Sequence, residues 1–297
     1  MYSVSSCLLV GENNLLTIKN KYLSAAFSTN GAELHSLKGA GGKEILFKDE
    51  TDNDWNGTSP LIFPLIGDFG GKPYSYKNEN YTMETHGFAS TSCYSVVEHR
   101  ENSIVFKFTD DKQTLKKYPF HFEFEIAYSL NGKSLLMEFY IKNNTRADML
   151  CELGVHTGFR LAYLEKALLE FEKPEFKADY VIKSNDERIN THKLMDGKEL
   201  RIYPEFFKKG CITFCGLKSG YCDLTDSDGR KIARINKGNF SELTLWAQPG
   251  RPFICVEPWS CESPYYSNSN RLEQQNGISV IPFGKTLYKY CSITVFE

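Results

Sequence analysis

No run in the sequence approaches the roughly 20 apolar residues that cross a bilayer. Its first residues, MYSVSSCLLVGENN, lack the basic start and long apolar stretch of a secretory leader. A membrane protein or an exported one is therefore not expected, and a cytoplasmic location is. A surplus of either charge is also missing: 35 Lys and Arg stand against 37 Asp and Glu, a net charge of −2. Contacts to nucleic-acid phosphates need a basic surplus, so the charge balance argues against a general nucleic-acid binder. Gly39-Ala-Gly-Gly-Lys43 is too short for a Walker loop and lacks its Ser or Thr. There is no Gly-x-Ser-x-Gly elbow, and no cysteine stands in a recognisable catalytic context.

Paired cysteine spacing is missing too. The nine cysteines are scattered through a chain without a leader, and their odd count fits reduced thiols better than disulfides. Cys211, Cys215 and Cys222 are spaced by four and seven with no His close behind, unlike the ligand spacing of zinc sites, so no metal is expected there. Helical periodicity is scarce, with short turns expected near Asp111–Tyr118 and Leu161–Leu164.

What the chain has is aromatic and alternating. With 21 Phe, 17 Tyr and 3 Trp among 297 residues, it is rich in side chains that suit a pleated, half-buried surface. Apolar and polar residues alternate over 15–19, 22–27, 103–108, 122–128, 134–141, 243–246 and 292–296, the pattern of strands with one face buried. Turn signals separate such stretches: Asn30-Gly31, Gly41-Gly42, Asn131-Gly132, Asp196-Gly197, Asp228-Gly229 and Asn276-Gly277. Crossover helices for a parallel sheet are absent, as are linkers, composition shifts and repeats. An all-β, antiparallel fold with few short helices, one domain over 1–297, is the expectation.

Three segments carry residues that strands have no structural need for: Thr58–Asp68 followed by Met83–Ser90, Cys151–Arg160, and Trp246–Trp259. Glu257 ends the apolar strand that begins at Pro252 and precedes Pro258-Trp259. Burial there would raise its pKa into the range where a carboxyl moves protons; pairing with a surface cation is the alternative. His156 sits between Gly154-Val155 and Thr157-Gly158, and His86 precedes Gly87-Phe88. An imidazole is suited to proton transfer near neutrality, although a lone His is more often a hydrogen-bonded core or loop residue. His35, His99, His121 and His192 lack such surroundings and are expected at the surface or as strand filling.

Taken in chain order, Asn30-Gly-Ala-Glu-Leu34, Leu61-Ile-Phe-Pro-Leu-Ile-Gly67, Lys72-Pro-Tyr-Ser-Tyr76, His86-Gly-Phe-Ala89, Gly154-Val-His156 with Phe159, Cys255-Val-Glu-Pro-Trp259 and Pro282-Phe-Gly-Lys285 resemble the aldose 1-epimerases. The likeness is to galactose mutarotase-like proteins, in particular their LacX-like branch. It implies a large antiparallel β-sandwich of supersandwich type with a sugar-binding groove on one sheet face. It further implies His156 as general acid, Glu257 as general base and His86 as a second histidine in the sugar site. Glu257 would take the proton of the anomeric hydroxyl while His156 donates to the ring oxygen, with a bell-shaped pH dependence. No metal, nucleotide or redox cofactor is implied. Trp259 and Trp246, with Phe88 and Phe159 behind them, are candidates to stack on a sugar, core packing being the other fate open to any aromatic.

The chain departs from that branch at Asp68 and Ser90, where Arg is usual, at Thr157 in place of Pro, and at Arg160 in place of a neutral residue. Asp68 and Arg160 are accordingly candidate sugar contacts that differ from the family's. The expected function is hexose mutarotation by a monomer or homodimer whose partner is a small sugar, with no nucleic acid or membrane involved. The alternatives are a carbohydrate-binding or sensing protein of the same fold, and a sugar-phosphate mutarotase anchored by Arg160.

Overall fold

The structure, a computed structural model, describes residues 15–49, 55–175, 179–182, 185–190, 194–195, 197–208, 210–261 and 269–296. His192 and Asp196, named above, lie outside the described residues, as does the N-terminal segment with Cys7.

Period-two alternation becomes an all-β fold. In Phe122–Asn131 the buried positions are Phe122, Phe124, Ile126, Tyr128 and Leu130, and in Ser134–Asn143 they include Leu135, Met137, Phe139 and Ile141. These two strands pair antiparallel, Asn131 opposite Ser134, so the closing turn is Gly132-Lys133, one residue beyond the Asn-Gly signal. Gly132 meets the turn's left-handed backbone at φ 58° without a Cβ penalty.

Two large sheets form the body among the described residues. One holds nine strands in the order Glu199–Arg201, Leu168–Phe171, Tyr221–Thr225, Lys231–Asn236, Thr286–Val295, Ser134–Asn143, Phe122–Asn131, Ser103–Thr109 and Ser95–His99. The other runs Asn185–Asn190, Asp179–Ile182, Ile212–Cys215, Glu242–Trp246, Phe253–Trp259, Gly154–Val155 and Leu61–Ile62, with Gly158–Arg160 also pairing against Phe253–Trp259. All the strand pairings are antiparallel. One buried apolar cluster draws on both sheets, joining Phe124, Phe139 and Ile293 of the first to Val155, Phe214, Leu245 and Val256 of the second. The helix expected near 111–118 is the single turn Thr114–Lys117, started by Asp111, whose Oδ1 accepts from the backbone of Gln113 and Thr114. Residues 161–164 form no helix.

Phe253–Trp259 is buried along its whole length, as Ile212–Cys215 is in the same sheet, unlike the alternating Phe122–Asn131 and Ser134–Asn143 of the other. Its Ile254 and Val256 point into the core between the sheets. Phe253, Cys255, Glu257 and Trp259 take the opposite face, where smaller clusters that include Phe47, Trp55, Ile62 and Ile66 cover them. A polar side chain on that face is thus shut away from water without being in the main core.

Candidate active site

Glu257 stands on this covered face with its side chain fully buried. The strand register sets Thr244 opposite Glu257 and Thr213 opposite Thr244, a row in which the two buried hydroxyls bond each other at 2.8 Å. Trp259, two residues along the same strand, donates its indole Nε1–H to Glu257 Oε2 at 3.1 Å. Oε1 has no hydrogen-bond partner among the described residues. Burial pushes the carboxyl well above its usual range, the Trp259 bond opposing it.

His156 reaches the same place from the neighbouring segment. Gly154 pairs with both Trp259 and Ile62, the His156 N–H donates to Pro60 O at 3.0 Å, and Gly158 N–H donates to Thr58 O at 2.9 Å. This stretch is therefore threaded between Leu61–Ile62 and Phe253–Trp259. A Cβ on Gly154 would lie 2.7 Å from the Trp259 ring, so only glycine lets the indole lie against the backbone here. His156 Nε2 comes to 3.5 Å from Glu257 Oε1. Burial, with His86 adding a like-charge penalty, pushes its imidazolium down to about 3. Both shifts favour the uncharged forms, a protonated carboxyl on Glu257 beside a neutral imidazole.

His86 completes the group. It and Gly87 take left-handed backbone at φ 68° and 79°, and a Cβ on Gly87 would meet Phe63 O at 2.2 Å. His86 Nδ1 accepts the Gly67 N–H at 3.0 Å, which places the proton of the neutral ring on Nε2. The ring lies edge-on to His156, 5.5 Å between centroids, and 6.0 Å from Trp259.

The segments that carry these residues are fastened together from behind by Glu152. Its carboxyl, fully buried, accepts from Ile66 N at 2.7 Å and is hydrogen-bonded to Cys261, while its own N–H donates to Pro64 O. One side chain thus ties the loop before Gly67 and the end of the Glu257 strand to the approach to His156. Burial raises its pKa to about 7. Farther out, Glu33 Oε1 accepts from Thr58 N and Ser59 N, and Ser59 and Thr157 share a hydroxyl contact at 2.7 Å.

Of the residues singled out from the sequence, His86, His156, Glu257, Trp246 and Trp259 come together. Trp246, half-buried, sets its edge against His156 at 5.7 Å. Trp259 is 2% exposed, so it holds the carboxyl and does not offer a stacking face. Phe88 and Phe159 do not join the group: both lie in the core between the sheets, Phe88 against Phe63, Phe108 and Tyr118. Phe159 pairs in register with Ile254, whose side chain faces the core, so strand geometry turns it from Glu257. Asp68 follows Gly67, but its carboxylate caps the 68–70 turn through Gly70 N and meets Thr85. Arg160 is exposed and lines a groove of about 270 Å³ with Lys43, Glu44, Asp226, Asp228 and Arg230.

Trp55, which the sequence did not mark, stacks on the His156 ring at 4.8 Å and 29°, and meets Trp246 and Phe253 as well. It covers His156, which is 8% exposed. A Cβ on Gly158 would lie 2.6 Å from its ring, and that Gly between His156 and Arg160 is the trace it leaves in the sequence.

The model of a protein family described as aldose 1-epimerase matches residues 14–270. The chain is 30% identical over 299 aligned residues to the chromosomal protein LacX of Lactococcus lactis subsp. lactis, covering 95% of this chain and 99% of that one. A galactose mutarotase related enzyme from Lactobacillus acidophilus superposes with a TM-score of 0.86 at 24% identity, covering 96% of this chain and 98% of its own. A galactose mutarotase-like protein from Lactobacillus casei gives 0.88 at 21% identity, covering 95% and 100%. These solved structures share the β-sandwich fold described above.

Proposed function

The chain belongs to the aldose 1-epimerase family, and on that footing we propose that it interconverts the α and β anomers of a free hexose by acid–base ring opening. The observation that carries this reading is the approach of His156 Nε2 to Glu257 Oε1 at 3.5 Å on a face closed to water. That gap is too narrow for an anomeric centre to lie between the two groups. Ring opening with a sugar held between acid and base is therefore ruled out for these side-chain positions, and the reading requires the sugar to lie alongside the pair, its anomeric hydroxyl on Glu257 and its ring oxygen on His156.

In this reading the pair carries one proton throughout. Sugar hydroxyls entering beside the Trp259 N–H stabilise the Glu257 carboxylate, and the proton passes to His156. Glu257 then takes the proton of the anomeric hydroxyl as His156 gives one to the ring oxygen. The bond from the anomeric carbon to the ring oxygen breaks, and an open aldehyde forms. Rotation of the aldehyde and the reverse transfers close the ring on its other face. His86 Nε2–H is the donor that holds the sugar.

Polarimetry of α-glucose and α-galactose, with wild type and Glu257→Gln, tests the assignment. Loss of about 10²–10⁴-fold in the enzymatic rate is expected. Equal rates in the two, both above the spontaneous background, would remove Glu257 from the mechanism. A binding protein without turnover is the second reading, favoured by the Trp55 indole over His156. Sugar binding by calorimetry with no rate enhancement across a hexose panel is its signature. A phosphate anchor at Arg160 is disfavoured because its groove carries no cationic surplus, Glu44, Asp226 and Asp228 offsetting Arg160, Lys43 and Arg230.

A further inference from the structure

Cys255 is a buried nucleophilic group beside the pair that ring opening does not use. Strand alternation sets it on the face of Glu257, and the ligand-type atoms of His156, Cys255 and Glu257 all lie within 4.8 Å of one another. All three residues are buried. Zinc holds its ligands at about 2.0–2.3 Å, which places neighbouring ligands of a tetrahedral site about 3.3–3.8 Å apart. The 3.5 Å between His156 Nε2 and Glu257 Oε1 is already such an edge. Glu257 Oε1 supplies a second, independent sign, being fully buried and lacking a hydrogen-bond partner among the described residues. A buried polar atom in that condition calls for an explanation, and an ion is one.

We propose that His156, Cys255 and Glu257 form a binding site for Zn²⁺, and that an occupied site is closed to sugar chemistry. One imidazole, one thiolate and one carboxylate are the donor types zinc takes, whereas Mg²⁺ and Ca²⁺ seek oxygen alone. The charges also balance: a divalent ion with one thiolate and one carboxylate is neutral overall, which suits a place shielded from water. Binding releases the thiol proton of Cys255 and the carboxyl proton of Glu257. The inhibitory consequence rests on the proposed function, because His156 and Glu257 serve both; the binding does not.

Co²⁺ added to the full chain after chelator treatment reads the site directly. One equivalent is expected to give a thiolate-to-cobalt charge-transfer band in the near ultraviolet and the intense visible bands of four-coordinate cobalt, displaced by Zn²⁺. The band should vanish in Cys255→Ser. Persistence of the band in that variant, or its absence from wild type, would overturn the site. X-ray absorption of the zinc-loaded wild type needs no variant: one sulfur with nitrogen and oxygen neighbours is expected, and two or more sulfurs would place the ion elsewhere. Mutarotation is assayed separately, in chelator. Activity without a cobalt band removes the metal site and leaves the proposed function standing, and a band without activity does the reverse. With both present, one equivalent of Zn²⁺ should lower the rate at least tenfold and chelator should restore it; full activity with zinc bound would overturn the closure.

Discussion

Trp259 donates its indole N–H to the carboxyl of Glu257, two residues earlier on the same strand, at 3.1 Å. Residues separated by two along a strand share a face, so the donor is fixed by the backbone that carries the acceptor. The bond favours the ionised form of a carboxyl that burial otherwise keeps protonated. Trp259→Phe keeps the apolar bulk and removes the donor. Since hydrogen bonds to charged groups are worth about 1.5–3 kcal/mol, kcat should fall about ten- to a hundredfold. Steady-state polarimetry checks this, and a change confined to KM would show that the bond does not act on the proton transfer.

Gly154 and Gly158 flank His156, and each lies against an indole, with a Cβ meeting Trp259 at 2.7 Å or Trp55 at 2.6 Å. Trp259 is enclosed, whereas Trp55 is only half-buried, with part of its ring open to solvent. Gly154→Ala should therefore cost about 1–3 kcal/mol, as overpacking does, and most of the activity. Gly158→Ala should cost less stability and chiefly move KM. Denaturant titration with kinetics on both variants separates them, and equal stability losses would contradict the difference in enclosure.

Glu152 should make stability depend on pH. The folded protein keeps its proton up to about 7, while an unfolded chain releases it near 4.5. Between those values the folded state holds more protons, so this group's contribution falls as pH rises through that window and is level above it. The span corresponds to about 3 kcal/mol. Glu152→Gln keeps an acceptor for Ile66 N and cannot titrate. Its stability relative to wild type should rise by up to that amount from pH 5 to pH 8 in urea unfolding. An unchanged difference would mean that Glu152 does not titrate there.

Much of this was legible beforehand. Alternation marked Phe122–Asn131 and its neighbours as half-buried strands, because burial of one sheet face writes itself into every second residue. Gly- and Pro-flanked positions marked His86, His156 and Glu257, because a polar group brought to a closed face needs unusual backbone around it. The same period of two argues against Phe159, which is out of phase with the face of Gly158. Trp55 escaped because it lies outside any strand pattern, and its place over His156 depends on the fold of the distant Phe253–Trp259 strand. Glu152 escaped for a related reason: a carboxyl within an apolar stretch was a signal, but its partners Ile66 and Cys261 are distant in sequence.

All 3 tryptophans of the chain gather at this site: Trp55 and Trp246 against His156, and Trp259 on Glu257. Its tryptophan emission, excited at wavelengths that the 17 tyrosines do not absorb, is therefore a local signal. A ligand entering beside the pair alters the surroundings of every indole at once, and no tryptophan elsewhere dilutes the response. The same fact limits what that emission reports during unfolding. Loosening of the nine-stranded sheet leaves the signal unchanged until the strands around Glu257 part.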